Sequence, residues 1–190
     1  TGRRTEDTRM SYQTPIYAGG HHNVTHVDVG TLSLLKTLGC RTLLDVGCGV
    51  GGQVIAAQRA GFKAFGIDVD PEVIGPPNIA LIDLCKAPVA FPEPFDVVWS
   101  IEVAEHIPEE HAGKFLDTVC GNAGRILIMT ASQVPMPGHL NLKPREWWIH
   151  HAEMRAMQYS PELTAMILRF STMKREFLKE TGMVFLNLSR

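Results

Sequence analysis

Apolar residues recur at helical spacing over residues 27–38, and Gly39 follows as a favourable residue for leaving a helix. The next apolar run, 41–46 (RTLLDV), is almost unbroken and is stopped by glycines, the pattern of a strand buried on both faces. Residues 51–60 are alanine-rich and helical up to Gly61, and 63–68 (KAFGID) reads as a second strand. Adjacent prolines in 71–77 leave room for a brief helix only. Residues 79–82 and 95–100 (FDVVWS) form the third and fourth strands, and 125–130 (RILIMT) the fifth. Between the fourth and fifth, Pro108-Glu109-Glu110 opens a helix that runs to about residue 120, with proline at its start and acids complementing the helix dipole.

Strands that are nearly all apolar and alternate with helices predict a parallel sheet covered on both faces. Beyond residue 131 the character changes. Residues 132–143 form a loop rich in Pro and Gly, and two helical stretches follow. The second opens at Ser160-Pro161-Glu162, an N-cap followed by proline and acid. Leu163, Met166, Ile167, Phe170, Met173 and Phe177 make one apolar stripe there, Gly182 ends it, and 183–188 (MVFLNL) supplies a sixth, edge strand. The expected architecture is a doubly wound, Rossmann-like α/β sandwich of three layers, with a mostly parallel sheet of six or seven strands. A chain of 190 residues fits one such domain. Residues 1–40 are expected to form an N-terminal cap, 41–131 a ligand-binding core, and 132–190 the remaining loop, helices and edge strand.

Composition narrows the function classes. The formal net charge is −2, too near neutral for a general nucleic-acid coat. Residues 1–142 carry 10 basic and 15 acidic groups, and 143–190 carry 8 and 5, a mild offset that a solvated basic helix face explains. Cys40, Cys48, Cys85 and Cys120 contain no C-x-x-C pair, so free thiols in a reducing cytoplasm are expected rather than a zinc ribbon or redox dithiol. No apolar run is long enough to span a membrane, and the polar N-terminal segment carries no secretory signal pattern.

The segment Asp45-Val46-Gly47-Cys48-Gly49-Val50-Gly51-Gly52 joins the first strand to its helix. Gly47, Gly49 and Gly52 satisfy G-x-G-x-x-G, and Asp68 follows at the distance of a ribose ligand. That spacing alone does not separate a dinucleotide from another nucleoside. Asp45 does help, because a carboxylate there suits a cofactor carrying an ammonium and a sulfonium better than a pyrophosphate. LLDVGCGVGG, FGIDVDPEVI, Asp83 at the end of the third strand and FDVVWSIEVAEHIP, in that order, resemble the motifs of class I S-adenosylmethionine-dependent methyltransferases. The resemblance covers about residues 41–131. It implies close backbone approach of the cofactor at Gly47, Cys48, Gly49 and Gly51, and an Asp45 contact to its amino-acid part. It also implies that Asp68, with Val69 beside it, holds the ribose, that Asp83 and Leu84 meet the adenine, and that Ser100 lines the same cleft. Tyr17 and His22, in a dense polar and aromatic segment before the first helix, are expected to close over the cofactor.

The acceptor chemistry is expected past the fourth strand. Within Glu102-Val103-Ala104-Glu105-His106, helical spacing would gather Glu102, Glu105 and His106 on one face. Oxygen and nitrogen donors of this kind suit Mg²⁺ or Mn²⁺. The E-x-x-E-H pattern resembles that of small-RNA 3′-terminal 2′-O-methyltransferases and ubiquinone-biosynthesis O-methyltransferases, which use it for a divalent metal, and that likeness makes His139 the fourth ligand. The alternative is a metal-free site in which His106 is the general base, with Glu102 and His139 around it. One of Trp147 and Trp148 is expected in the core and the other at a sugar or base pocket, while Arg145 is read as an anion contact or a surface ion pair.

These residues point to methyl transfer onto the oxygen of a small molecule or saccharide. An RNA 3′ end is the rival acceptor, disfavoured by the lack of an RNA-binding module or basic surplus. A non-catalytic S-adenosylmethionine-binding subunit is the second alternative. An NAD-linked oxidoreductase is disfavoured by Asp45 and by the absence of a hydride-transfer constellation.

Overall fold

The computed structural model describes residues 24–189 apart from 72 and 74–77. The buried apolar runs form the parallel strands β1 (Thr42–Val46), β2 (Lys63–Asp68), β3 (Ile79–Leu81), β4 (Phe95–Ser100) and β5 (Ala123–Met129). β6 (Met157–Tyr159) and β7 (Met183–Asn187) complete a seven-stranded sheet of order β3-β2-β1-β4-β5-β7-β6. β7 runs antiparallel to both β5 and β6. β1 and β4 are parallel neighbours at which the strand order reverses, so a crevice opens at their carboxyl ends, the place where open α/β sheets bind ligands.

Period-two alternation sends each strand's residues to opposite faces. Leu44, Val46, Val98, Leu127 and Phe185 pack with Phe115, Leu116 and Trp148 from α3 (Ala112–Asn122) and α4 (Arg145–Glu153). Leu43, Val97, Trp99, Ile126 and Ile128 pack on the other face against α1 (Val29–Thr37), α2 (Gly52–Arg59) and α5 (Pro161–Phe170) through Leu32, Val54 and Ile167. Among the described residues no helix is long and apolar enough to cross a membrane.

Three expectations are corrected. The edge strand is not 183–188: β7 lies between β5 and β6, and the edge is the three-residue β6, too short for its alternation to be legible. The apolar stripe of residues 163–177 is not one helix, because α5 ends at Phe170 and a separate α6 (Phe177–Thr181) follows. Met166 and Phe170 are consequently exposed. Glu102, Glu105 and His106 do not share a helix, since a short 3-10 turn covers only Ala104–His106.

The break after α5 has a physical cause. Asp28 caps α1 through the Thr31 N–H and hydroxyl, and the same carboxylate accepts from the Ser171 hydroxyl and the Thr172 N–H. A fully buried acid therefore pins the start of α1 to the segment leaving α5. Removing it orphans several donors at once. Asp28→Ala is expected to lower stability by roughly 3 kcal/mol, read as a fall in the urea midpoint at unchanged m-value.

Candidate functional site

The crevice is a cleft of about 690 Å³. Its floor is built where β1 turns into α2. The amides of Gly47 and Cys48 both donate to the Ile67 carbonyl, at 2.8 and 3.1 Å, and the Gly49 amide donates to Asp68 Oδ2 at 2.7 Å. The turn is left-handed at Gly47, Gly49 and Gly51, with φ of 75°, 50° and 78°. At Gly47 the demand is double, because a Cβ there would stand 2.3 Å from Val103 Cγ2. A side chain at this position would need the space that Val103 occupies.

Asp45 and Asp68 both line this floor, 4% and 9% exposed. Burial, and then the charge of Asp68, push the Asp45 carboxyl up to about 8. Two acids this close in a dry crevice favour a ligand that brings positive charge. Cys48 lines the floor too, and its thiol is pushed well above the ordinary range by burial and by the neighbouring acids. Val69 and Leu84 line the cleft too.

Other expected contacts fall elsewhere. The Ser100 hydroxyl is fully buried and donates to the Val46 carbonyl at 3.0 Å, so it ties β4 to β1 and does not line the cleft. Gly51 is also off the cleft wall, as the N-cap of α2 with its amide on the Cys48 carbonyl. The Asp83 carboxylate accepts from the Cys85 amide at 2.9 Å, with Lys86 beside it, and stays off the wall that Leu84 and Cys85 form. Tyr17 and His22 lie outside the described residues. From the N-terminal side the cleft is lined instead by Val24, Thr25 and His26, which sequence reasoning did not single out for it.

His106 and His139 line the cleft as well, and one potential ligand atom each from these two and from the buried Glu105 lies within 4.8 Å of the others. The convergence comes from loop packing, not helical spacing. Leu140 and Asn141 donate their amides to the Glu105 carbonyl, at 2.7 and 3.0 Å, folding loop 132–143 onto the turn that carries the acid. His106 Nδ1 stands 2.9 Å from the Gly138 carbonyl and His139 Nδ1 2.8 Å from the Val134 carbonyl. Each imidazole must hold its proton on Nδ1 to make that bond, which leaves the Nε2 lone pair free. Burial lowers the His106 pKa, consistent with a neutral ring.

Glu105 is fully buried, and neither carboxylate oxygen has a well-formed hydrogen bond; the Ser132 backbone and the Glu102 carboxyl are its nearest polar company. Burial raises its pKa. Glu102 stands outside the three-residue cluster. Its backbone is left-handed, φ 57°, an unusual state for a residue with a side chain. Thr130 secures it: its hydroxyl accepts from the Glu102 amide at 2.7 Å and donates to Glu102 Oε1 at 2.9 Å. Burial, then the charge of Glu105, raises the Glu102 pKa. No sequence signal marks Thr130 for this task. Trp147 and Trp148 do not line the cleft: Trp148 is in the core, and Trp147 stacks on His151 with centroids 3.8 Å apart. Among the described residues Arg145 has no ion-pair partner and does not line the cleft; it donates to the Tyr159 hydroxyl.

Comparison with known proteins bears on the family and the fold. Residues 28–166 match the family model described as a methyltransferase domain. A segment of 80 residues is 39% identical to 2-methyl-6-phytyl-1,4-hydroquinone methyltransferase of Synechocystis, covering 36% of this chain and 25% of that protein. A 120-residue segment is 32% identical to a probable chloroplastic tocopherol O-methyltransferase of Oryza sativa, covering 56% and 32%. The chain thus spans about a quarter to a third of the length of these curated relatives. Among solved structures, the magnesium protoporphyrin IX methyltransferase of Synechocystis with bound SAH superposes with a TM-score of 0.59 at 16% identity, covering 82% of this chain and 78% of that one. The sugar N-methyltransferase KedS8 of Streptoalloteichus gives 0.61 at 12% identity, covering 83% and 85%. At those identities the likeness establishes the fold.

The glycine turn offers a direct check. Gly47→Ala meets both the left-handed backbone and Val103, and is expected to cost about 2 kcal/mol in denaturant unfolding. Adding Val103→Ala should restore only the steric part, leaving roughly 1 kcal/mol of backbone strain.

Proposed function

The chain belongs to the methyltransferase domain family, and from that premise we propose that it moves a methyl group from S-adenosylmethionine to a hydroxyl oxygen of a small acceptor. The observation that carries the reading is that His106 and His139, with the buried Glu105 beside them, share one cleft with Asp45 and Asp68. The acidic floor suits the cationic cofactor, with Asp45 toward its ammonium, Asp68 toward its ribose, and the glycine turn beneath. The cluster is then the acceptor end.

The reaction is an in-line displacement. The methyl–sulfur bond breaks with its electron pair staying on sulfur, the oxygen–methyl bond forms, and the hydroxyl proton must leave. A neutral His106, held through Nδ1 by Gly138, offers Nε2 as the proton's destination. Alignment and exclusion of water supply much of the acceleration. Ile101, Val103, Val134, Met136 and Phe177 line the cleft and favour an apolar, ring-bearing acceptor over a saccharide. The hydroquinone and tocopherol enzymes among the relatives are named for acceptors of that phenolic kind.

A second reading rests on Glu105. A fully buried carboxylate without a good donor, facing two imidazoles with free Nε2 atoms, fits a divalent cation. Two nitrogens and one carboxylate suit Mn²⁺ better than Mg²⁺. Such a cation supplies positive charge that acidifies a nearby hydroxyl. His106 is then a ligand, and Glu102, turned inward by Thr130, is the remaining carboxylate beside the acceptor.

Labelled methyl transfer into phenols, saccharides and RNA 3′ ends, with and without Mn²⁺, tests both readings. Incorporation into a phenolic hydroxyl is expected. Binding of the cofactor without transfer to any pool would return the chain to a non-catalytic subunit. Under the cation reading, protein purified without a histidine tag should hold about one divalent ion per chain, and Glu105→Gln should abolish that uptake while leaving cofactor binding intact. Full turnover in chelator assigns the reaction to His106 alone.

The pH dependence of cofactor binding follows from Asp45. Below about 8 its carboxyl is protonated in the free protein. The cationic cofactor favours the ionised form, so binding expels a proton. Affinity for S-adenosylmethionine should therefore rise from pH 6 toward about 8, by up to roughly tenfold per pH unit. Calorimetry in buffers of different ionisation enthalpy should show the released proton, and Asp45→Asn should abolish both effects.

A further inference from the structure

Five amides of the glycine turn are already engaged. Gly47 and Cys48 give their amides to the Ile67 carbonyl, Gly49 to Asp68, Gly51 to the Cys48 carbonyl, and Gly52 to Thr25 Oγ1 at 3.1 Å. A negatively charged group entering beside them meets amides that are already engaged. Yet the amino-acid end of the proposed cofactor carries a carboxylate as well as an ammonium, and Asp45 answers only the ammonium.

Gln53, one residue past Gly52 at the start of α2, lines the cleft and is 1% exposed. Its Oε1 accepts from the Asp28 amide at 2.9 Å. Because that partner is a donor, the amide orientation is decided: the oxygen faces Asp28 and the NH₂ faces away. The Nε2 atom is buried without a hydrogen-bond partner. A buried primary amide donor left open is unfavourable unless a ligand completes it. Asp28 is itself immobilised by α1 and the segment after α5, so the amide is held from a rigid base.

We propose that Gln53 is a cofactor-binding residue whose Nε2 donates to the α-carboxylate of S-adenosylmethionine or its product. With Asp45 it reads the two charges of the amino-acid end, one donor for the carboxylate and one acid for the ammonium. The inference rests on the proposed cofactor. It assigns Asp28 a second duty as well, since the backbone amide of a fold-holding residue orients a ligand-binding one.

Isothermal calorimetry with three probes tests it without any acceptor. The probes are S-adenosylhomocysteine, methylthioadenosine, which lacks the amino-acid end, and decarboxylated S-adenosylmethionine, which keeps the ammonium and sulfonium. Gln53→Leu should weaken S-adenosylhomocysteine by roughly ten- to a hundredfold, the range of a hydrogen bond to a charged group. Methylthioadenosine and the decarboxylated cofactor should shift by less than about twofold. Gln53→Glu keeps an oxygen for the Asp28 amide and sets a carboxylate against the ligand's, so it should show the same selectivity in a fold that retains the Asp28 contact. Equal loss for all three probes in both variants would make Gln53 a structural residue and overturn the proposal. So would unchanged S-adenosylhomocysteine affinity, or a selective loss found in Arg175→Ala instead, which would assign the carboxylate to the arginine on the same cleft. Failure of the wild-type protein to bind any of the probes would count against the cofactor itself, a separate result.

Discussion

Two amides hang on one carbonyl at the end of β2. By giving both the Gly47 and Cys48 N–H groups to Ile67, the chain leaves β1 in a left-handed turn and enters α2 without stranding buried donors. The geometry has consequences on every side. It brings the ends of β1 and β2 together, so Asp45 and Asp68 face one crevice. It leaves no room for a Cβ at Gly47, because Val103 from the far side of the cleft already occupies that space. It also engages the amides of Gly47 and Cys48. Two carboxylates held in a dry crevice oppose one another, and the raised Asp45 records that opposition. A cationic ligand relieves it.

The other end of the cleft is organised by a second strained turn. Glu102 occupies a left-handed backbone state that nothing local favours, and the Thr130 hydroxyl stabilises it from the neighbouring strand β5. This turn lets the chain leave β4 sharply, so that the 3-10 turn at Ala104–His106 starts beside the crevice. Loop 132–143 then folds back through the Glu105 carbonyl and places His139 opposite His106, with ring centroids 5.0 Å apart. Both imidazoles are oriented by backbone carbonyls, not by carboxylates.

Much of this was legible from the chain alone. Strands β2 and β4 were found at their full extent, because an apolar run between glycine or proline signals has few other uses. Ser160 was found as an N-cap, and its hydroxyl does accept from the Leu163 amide. Asp45, Asp68, Val69 and Leu84 were placed at the cleft by motif order, and the structure sets them there. Ser100 was misplaced for a simple reason: adjacent residues of a strand face opposite sides, and its hydroxyl turns to the Val46 carbonyl. β6 escaped because three residues show no period, and its strand character comes from pairing with β7.

The sequence by itself determined the alternation of strand and helix, and with it the crevice at the β1–β4 switch and the acids on its floor, since these follow from short-range periodicity and from glycines that tolerate positive φ. Which donors remained open was decided only by the tertiary structure. Gln53 is one polar residue among many until the Asp28 amide claims its oxygen, and Glu105 is one acid among twenty until packing seals it from water. His139 lies 33 positions after His106, and only the fold of loop 132–143 onto the Glu105 carbonyl makes them neighbours. Burial and hydrogen-bond completion are properties of the whole packed chain, and they separate a polar residue that is merely present from one that waits for a ligand.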